Sequence, residues 1–241
     1  MKKSDKFVVS CQQCGLNALC IPYSLTHEEM DEVDGVVKRG KPLQRGEDLF
    51  TTGTTFNSFY AIRSGAIKSY NIDENGEEHV IGFSLPGEIL GLDAIDTAKH
   101  VSSAKALETT SICEIPYSQV ETLSSKIHNL QAHMYRLLSR EIREDQELQM
   151  LLGKKTAEEK IGTFLLNLSL RYEQRKLSST LFRLPMARTD IGNYLGLAVE
   201  TVSRVFTRLQ CNGGIKVEGK EVEILDRRYL CEIAHSALPN P

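Results

Sequence analysis

Residues 188–210 read RTDIGNYLGLAVETVSRVFTRLQ, and they contain two short helical patterns separated by Gly196. The first pattern has an apolar face, and we expect Thr189 to cap its start. Gly192 is small enough to let a second helix approach closely. Gly196 lies where the chain must turn between the two helices. The segment therefore predicts a helix-turn-helix.

The second helix of this segment carries polar residues opposite its apolar face, and their chemistry suits base reading. Arg204 can bond O6 and N7 of one guanine, Glu200 can accept from a cytosine amine, and Ser203 can contact thymine. An acidic side chain near phosphates is unfavourable unless it reads a base. We expect this helix to enter a major groove of double-stranded DNA. An ordinary helical pair with a solvated face is the alternative. The expected DNA-binding residues are Glu200, Thr201, Ser203, Arg204 and Arg208.

The composition of the 241 residues is that of an ordinary globular protein, with 41% hydrophobic and 25% charged residues. No apolar run reaches the length of a membrane span, and the N-terminus lacks the apolar region of a secretory signal. We therefore expect a cytoplasmic protein with no membrane partner. Residues 1–153 hold 15 Lys+Arg and 22 Asp+Glu, whereas residues 154–241 hold 14 and 10. This asymmetry indicates two modules with different partners.

The spacing of apolar residues and glycines divides the chain into four segments and predicts an α+β fold. Short, glycine-interrupted runs before residue 119 are typical of a β-roll. Within them, Ser64-Gly65 and Asn75-Gly76 each predict a hairpin turn. A hairpin after the helix-turn-helix predicts a wing. The segments are a cysteine-rich loop over 1–22, a β-roll sensor domain over 23–118, a long dimerisation helix over 119–153 and a winged helix-turn-helix domain over 154–241.

The long helix carries a narrow seam whose positions alternate three and four residues apart. Tyr135, Leu138, Ile142 and Asp145 follow this spacing, which is that of a two-stranded coiled coil. We expect these four residues to form a homodimer interface. Two symmetry-related Asp145 carboxylates would repel, so the dimer would be marginal. The alternatives are a helix that packs on its own domain and an Asp145 that faces solvent.

Three of the six cysteines form the close triplet Cys11-x2-Cys14-x5-Cys20, and Cys113 is a distant fourth. Four thiolates can hold a [4Fe–4S] cluster or a tetrahedral zinc ion, and the spacing leaves both open. The remaining two, Cys211 and Cys231, lie in the other module and are interpreted as incidental.

Several longer motifs make the chain similar to a known family. The β-roll, the long helix and a recognition helix with Glu-Thr-Val-Ser-Arg at 200–204 resemble the cyclic-AMP receptor protein superfamily. The cysteine set and the motifs AIRSGAIK (61–68), ALET (106–109) and IGNYLGL (191–197) resemble the fumarate and nitrate reduction regulator family, especially its anaerobic-regulator (ANR) branch. The resemblance covers essentially the whole chain.

This resemblance implies an oxygen-responsive global regulator of anaerobic metabolism that activates or represses transcription. It implies one [4Fe–4S] cluster per subunit, dimerisation when the cluster is intact, and binding to a TTGAT-N4-ATCAA palindrome through Glu200, Ser203 and Arg204. Contacts with RNA polymerase would lie near Asp73, Gly76 and Glu77 and near Arg175. The matching cluster ligands are Cys11, Cys14, Cys20 and Cys113. Some members carry a serine where this chain has Gly15, which bears on oxygen sensitivity.

Three other function classes receive less support. Residues 64–135 contain no arginine, although cyclic-nucleotide binders of this superfamily hold the phosphate with one, so no cyclic nucleotide is expected. No nucleophile–base motif, phosphate loop or paired-carboxylate signature indicates an enzyme. A constitutive, zinc-stabilised DNA-binding repressor remains the alternative function.

Overall fold

A computed structural model describes residues 9–235, and it confirms an α+β fold with a β-roll, a long helix and a winged helix-turn-helix domain. Residues 1–8 and 236–241, which belong to the first and last predicted segments, lie outside the described residues. The first part of the chain contains α1 (His27–Val36), β1 (Lys38–Arg39), β2 (Asp48–Phe50), β3 (Ser58–Ser64), β4 (Ile67–Ile72), β5 (Glu78–Ser84), β6 (Ile89–Leu90), β7 (Ser103–Ala106) and β8 (Ser111–Pro116). Then follow α2 (Tyr117–Ser124), α3 (His128–Lys154), α4 (Ala157–Gln174), β9 (Leu181–Arg183), α5 (Arg188–Leu195), α6 (Val199–Cys211), β10 (Ile215–Glu218), β11 (Glu221–Ile224) and α7 (Arg227–Ala234).

The β-roll consists of two four-stranded antiparallel sheets, with strand orders β1-β8-β3-β6 and β2-β7-β4-β5. The predicted hairpin at Ser64-Gly65 is wrong, because β3 and β4 belong to different sheets. Gly65 has φ +87°, and a Cβ there would lie 2.4 Å from Oγ1 of Thr110. A glycine is therefore required where the chain crosses between the sheets. The hairpin at Asn75-Gly76 is confirmed, since β4 pairs with β5.

Two apolar clusters hold the roll together. One fills the space between the sheets and contains Phe50, Ile62, Ile67, Leu90, Ala104 and Ala106. The other joins the roll to the helices around it and includes Ile21, Val33, Phe59, Ile115 and Leu130. Because Ile21 directly follows the cysteine triplet and Leu130 lies on α3, this second cluster ties the cysteine loop and the long helix to one core.

The helical region after the roll is interrupted, contrary to the prediction of one helix over 119–153. α2 ends at Ser124 and α3 starts at His128. The hydroxyls of Ser124 and Ser125 donate to the carbonyls of Glu121 and Thr122, a local bonding pattern that competes with continued helix. The break allows Ile127, which is 5% exposed, to enter the roll core.

The C-terminal domain is the predicted winged helix-turn-helix. Gly196 ends α5 in the left-handed conformation with φ +63°, and β9, β10 and β11 form a three-stranded sheet. The prediction of Thr189 as N-cap is wrong. The cap is Ala187, whose N–H donates to the carboxylate of Asp190 (2.9 Å).

Candidate metal centre and nucleic-acid interface

The four cysteines of the predicted cluster site line one open-sided cavity with an empty volume of about 520 Å³. Cys11, Cys14 and Cys20 come from a run of turns before α1, and Cys113 comes from β8. Apolar side chains of the roll and of α1, including Ile62, Ile115 and Val33, line much of the rest of the cavity, together with Arg39 and Arg63. The fold therefore brings together residues that are up to 102 positions apart, as the positions of Cys11 and Cys113 show.

Hydrogen bonds fix the cysteine loop to its surroundings. The N–H of Cys11 donates to Asp34 Oδ1 (2.7 Å), and Arg39 pairs with the same carboxylate. At the other end, Nε2 of His133 on α3 lies 3.1 Å from the carbonyl oxygen of Cys20. A carbonyl can only accept, so this nitrogen carries the proton and donates. The loop is thus bonded both to the end of α1 and to the long helix.

The buried setting of the thiols opposes their ionisation. Burial raises the pKa of Cys20 to about 12, and burial also raises the pKa values of Cys11 and Cys113. A metal ligand must be a thiolate. Three of the thiols will therefore give up their protons only to a group whose positive charge offsets the loss of hydration.

The spacing of the sulfurs bears on the kind of group that fits. A tetrahedral zinc ion with Zn–S bonds near 2.3 Å would hold its sulfurs about 3.8 Å apart. In the described part of the chain, no three cysteine sulfurs lie within 4.8 Å of one another. A group with several metal ions, each bound to one thiolate, spaces its ligands more widely. Four thiols around one cavity are a donor set that an iron–sulfur cluster can use.

Two contacts of this centre were not found from the sequence. A Cβ on Gly87, which has φ +91°, would lie 2.9 Å from Cβ of Leu19, so the loop rests directly on the turn between β5 and β6. Leu19 is absent from the residues that line the cavity and acts as a packing residue here. The bond from His133 to Cys20 spans 113 positions, and no local pattern could have indicated it.

The recognition helix α6 shows the predicted division into two faces. Val202, Val205, Phe206 and Leu209 are buried. The opposite face exposes Glu200, Ser203, Arg204 and Arg208, and Thr201 is half-buried beside them. Four of the five predicted DNA-binding residues are therefore exposed on one face of the helix.

Side-chain hydrogen bonds prearrange this polar face. Nη2 of Arg204 donates to Oγ1 of Thr201 (3.1 Å), which orients the guanidinium. The hydroxyl of Ser203 donates to the carbonyl of Val199 (2.9 Å), so its oxygen is left to accept from a base amine. Arg208 pairs with Glu158 at the start of α4. It must leave that partner to bind a phosphate.

The predicted dimer seam is largely open on α3. Tyr135 is 63% and Ile142 60% exposed, and Asp145 is exposed as well. Leu138 is half-buried because it packs against the roll core. Large apolar side chains on an exposed helix stripe are typical of a surface that another protein covers.

Of the two predicted polymerase contacts, one is exposed and the other is buried. The loop with Asp73, Gly76 and Glu77 is an exposed hairpin tip, and the Asp73 carboxylate accepts from the N–H of Glu77 (2.9 Å). The side chain of Arg175, by contrast, is 3% exposed and pairs with Glu88 of the roll. Burial against its own chain leaves Arg175 unavailable to a partner in this arrangement, contrary to the expectation.

Comparisons with known proteins agree with this architecture. The family model described as the cyclic nucleotide-binding domain matches residues 41–126, and that of the Crp-like helix-turn-helix domain matches residues 159–233. None of the helices within residues 9–235 is both long and apolar enough to cross a membrane.

Curated relatives and a solved structure narrow the assignment. The chain is 55% identical over 228 residues to the transcriptional activator protein Anr of Pseudomonas aeruginosa, which covers 95% of this chain and 93% of the relative. It is 48% identical over 232 residues to the fumarate and nitrate reduction regulatory protein of Escherichia coli K12, covering 96% and 93%. The structure of FixK2 from Bradyrhizobium japonicum superposes with a TM-score of 0.75 at 28% identity, covering 85% of this chain and 100% of that one. Together with the exposed recognition helix, these matches show that the chain belongs to the fumarate and nitrate reduction and Anr family of DNA-binding transcription regulators, and not to a family of enzymes.

Proposed function

We propose that this protein is an oxygen-responsive global regulator of anaerobic metabolism. In this proposal each subunit binds one [4Fe–4S] cluster through Cys11, Cys14, Cys20 and Cys113. The bound cluster promotes formation of a homodimer, and the dimer binds a TTGAT-N4-ATCAA-like palindrome to activate or repress transcription. Oxygen destroys the cluster and thereby releases the DNA.

The observation that carries the proposal is the single cavity lined by all four thiols. The donors are thiols, which iron–sulfur clusters require, and within residues 9–235 no three of their sulfurs lie within 4.8 Å of one another. When bound, the cluster would supply cationic iron that holds four thiolates together and that reacts with oxygen. The chain's own part is to hold the loop and Cys113 around this group.

The loop is connected to the dimer helix through His133. Its imidazole is 2% exposed and donates to the carbonyl of Cys20, so an ordered loop fixes this part of α3. The residues of the seam lie further along the same helix. A loop held in one position therefore stabilises the surface on which the partner subunit would pack.

The Asp145 carboxylate keeps the dimer marginal. Asp145 is the exposed acidic member of the seam, whereas the nearby Glu141 and Glu144 alternate with Arg140 and Arg143. Pairing two such helices would bring carboxylates together and remove part of their hydration, which is unfavourable. A marginal equilibrium is the one that a small packing gain can shift.

Dimerisation would make DNA binding strong enough to be specific. One recognition helix reads few base pairs, whereas two helices on half-sites one helical turn apart add their contacts. Arg204 and Glu200 would read the bases, with Ser203 as an acceptor. Arg208 would bind phosphate after leaving Glu158.

Three further assignments belong to the proposal. The Asp73–Glu77 hairpin tip is the contact with RNA polymerase. No cyclic nucleotide is bound, which is supported by the apolar side chains between the sheets and by the absence of arginine from residues 64–135. The protein acts in the cytoplasm, where thiols stay reduced.

The test is purification without oxygen, followed by iron, sulfide and zinc analysis and a visible spectrum. We expect brown protein that bleaches in air. After bleaching it should no longer bind the palindrome in a gel-shift assay. Serine at any one of the four ligands should abolish the colour. Cys211→Ser and Cys231→Ser are matched controls that should keep it. Colourless protein with one tightly held zinc ion, and the same DNA affinity in air, would instead establish the zinc-stabilised repressor.

A further inference from the structure

The turn between β5 and β6 touches two parts of the protein that have separate tasks. On one side Gly87 lines the cysteine cavity and contacts Leu19 of the loop. On the other side Glu88 is bonded to α4 of the DNA-binding domain. Adjacent residues of one short turn therefore contact both the proposed sensing site and the domain that reads DNA.

The turn itself is fixed to the roll by the main chain. The N–H of Gly87 donates to the carbonyl of Ile62 (2.7 Å), and the N–H of Ile62 donates to that of Glu88 (3.0 Å). The N–H of Leu85 donates to the Glu88 carboxylate (2.9 Å). With its backbone and its acidic side chain both bonded, the turn moves as one unit.

Two arginines four residues apart hold this unit, Arg171 on α4 and Arg175 directly after its last residue. Arg171 donates to both carboxylate oxygens of Glu88, through Nε (3.0 Å) and Nη2 (2.5 Å), and also to the carbonyl of Phe83 (2.6 Å). Arg175 donates to Glu88 (2.5 Å) and to the carbonyl of Pro86 (2.7 Å). Bidentate charged pairs of this kind fix orientation as well as distance.

Apolar contacts beside the charged group make the attachment firm. Phe83 of β5 packs edge-on against Phe164 of α4 and Tyr194 of α5, with ring centroids 6.2 and 5.1 Å apart. Nearby, Asn193 of α5 accepts from the N–H of Val80 (2.6 Å). The domain that carries the recognition helix is therefore docked on the same strand that leads into the turn.

We propose that Glu88 is a positioning residue for DNA binding, and that it makes the position of α4 depend on the cysteine loop within a single subunit. The loop would hold Gly87, Gly87 would hold the Glu88 carboxylate, and Arg171 with Arg175 would carry that position into the DNA-binding domain. This route is separate from dimerisation. It rests on the proposed function only in that a bound cofactor is taken to hold the loop.

Partial loosening of this connection is unfavourable. If the turn moves and α4 does not follow, the half-buried Glu88 carboxylate and the buried Arg175 guanidinium lose their partners, which is costly in a partly desolvated site. The turn and α4 therefore shift together or not at all. Such a two-state contact is what a coupling between distant sites requires.

The test is hydrogen–deuterium exchange on the full chain, compared before and after the cofactor is removed by air. In the wild type, the exchange rate should rise in both the 83–90 and 164–175 segments. The rise should be roughly fivefold or more, since fivefold is the lower end of the usual range for the coupling between two sites. In Glu88→Gln the rise should persist over 83–90 and vanish over 164–175. Arg183→Gln is the matched control, since its bond to Glu108 (2.6 Å) also joins the two domains but away from the turn. That variant should respond like the wild type.

A second arm needs no cofactor and separates this proposal from the proposed function. In protein prepared in air, Leu19→Ala should raise exchange over 164–175 in the wild-type background and not in the Glu88→Gln background. If Leu19→Ala raises exchange over 164–175 as expected, but protein purified without oxygen holds no iron, the cluster proposal fails and the coupling stands. The coupling would be overturned by either of two results with iron-loaded protein. Removal of the cofactor could raise exchange over 164–175 equally with and without Glu88, or it could leave exchange over 164–175 unchanged in the wild type. If Glu88→Gln does not fold by circular dichroism, Arg175→Gln takes its place, and the rise over 164–175 should then shrink without vanishing, because Arg171 still pairs with Glu88; an unreduced rise would overturn the coupling.

Discussion

Replacing Gly87 with alanine should damage the cysteine loop through two separable costs. The first is conformational, because the φ of +91° at this position disfavours an L-residue by about 1–2 kcal/mol. The second is steric, since the new methyl would lie 2.9 Å from Cβ of Leu19, and forcing extra carbon into a packed site costs about 1–3 kcal/mol. The sum predicts a loss of about 2–5 kcal/mol.

The chain offers a control that carries only the first cost. Gly46 has φ +87°, and nothing lies within 4 Å of the position of its Cβ. Gly46→Ala should therefore lose about 1–2 kcal/mol. Thermal unfolding of cofactor-free protein measures the difference in stability between the two variants. Each kcal/mol lowers the melting temperature by about 2–4 °C for a domain of 150–250 residues. Alkylation of Cys20 should also become faster in Gly87→Ala and stay unchanged in Gly46→Ala.

A second substitution tests the contact itself. The atom that meets the new methyl is Cβ of Leu19, so Leu19→Ala cannot relieve the clash and Leu19→Gly can. In the Leu19→Gly background, Gly87→Ala should therefore carry only the conformational cost of about 1–2 kcal/mol, as Gly46→Ala does, whereas in the Leu19→Ala background it should still carry both costs. The reasoning is refuted if Gly87→Ala and Gly46→Ala have the same melting temperature. It is also refuted if Leu19→Ala lowers the cost of Gly87→Ala as much as Leu19→Gly does.

Three further predictions concern DNA reading, assembly and pH. Thr201→Val removes the hydrogen bond that orients Arg204 and should weaken palindrome binding by about 0.5–1.5 kcal/mol. Thr207→Val, whose hydroxyl bonds only the main-chain carbonyl of Ser203, is the control for fluorescence anisotropy. Asp145→Ala should give a dimer in air by sedimentation, and a variant that stays monomeric there would contradict the repulsion argument. Burial opposes ionisation of Glu88, but the paired arginines outweigh it and hold its pKa below the ordinary value. The stabilisation is therefore present at neutral pH and lost as the pH falls below about 4.3, the unfolded value. Urea unfolding between neutral and acid pH should show a weaker pH dependence in Glu88→Gln, and equal slopes would count against this pairing.

Local patterns predicted the elements whose determinants are local. The two helices around Gly196 follow from apolar spacing and a turn glycine, and both are present within a residue or two of expectation. The hairpin at Asn75-Gly76 is likewise a property of four or five neighbouring residues. The grouping of the four cysteines was expected from spacing and resemblance, and the cavity brings them together.

The failures arise where distant residues decide. Ser64-Gly65 has the composition of a hairpin turn, yet β3 and β4 belong to different sheets, and distant Thr110 leaves no room for a Cβ at Gly65. Arg175 was expected at a partner surface, but a carboxylate 87 positions away buries it. The residues around Arg175 in the sequence do not indicate that Glu88 is its partner. The role of Arg175 could therefore be identified only from the folded structure.

The contacts of the cysteine loop differ in strength, and the difference determines which part of the protein can respond first. The loop is held by a few hydrogen bonds, such as the one from His133, each worth about 1 kcal/mol, and by the packing of Leu19. The Glu88 carboxylate accepts four charge-assisted bonds, three from two arginines and one from a main-chain N–H, and leaving the buried charge of Arg175 unpaired costs about 3–5 kcal/mol. Local opening follows the weakest contacts. The loop should therefore open while Glu88 stays paired, so that a loosely held sensor is joined by a stiff connection to the domain that reads DNA.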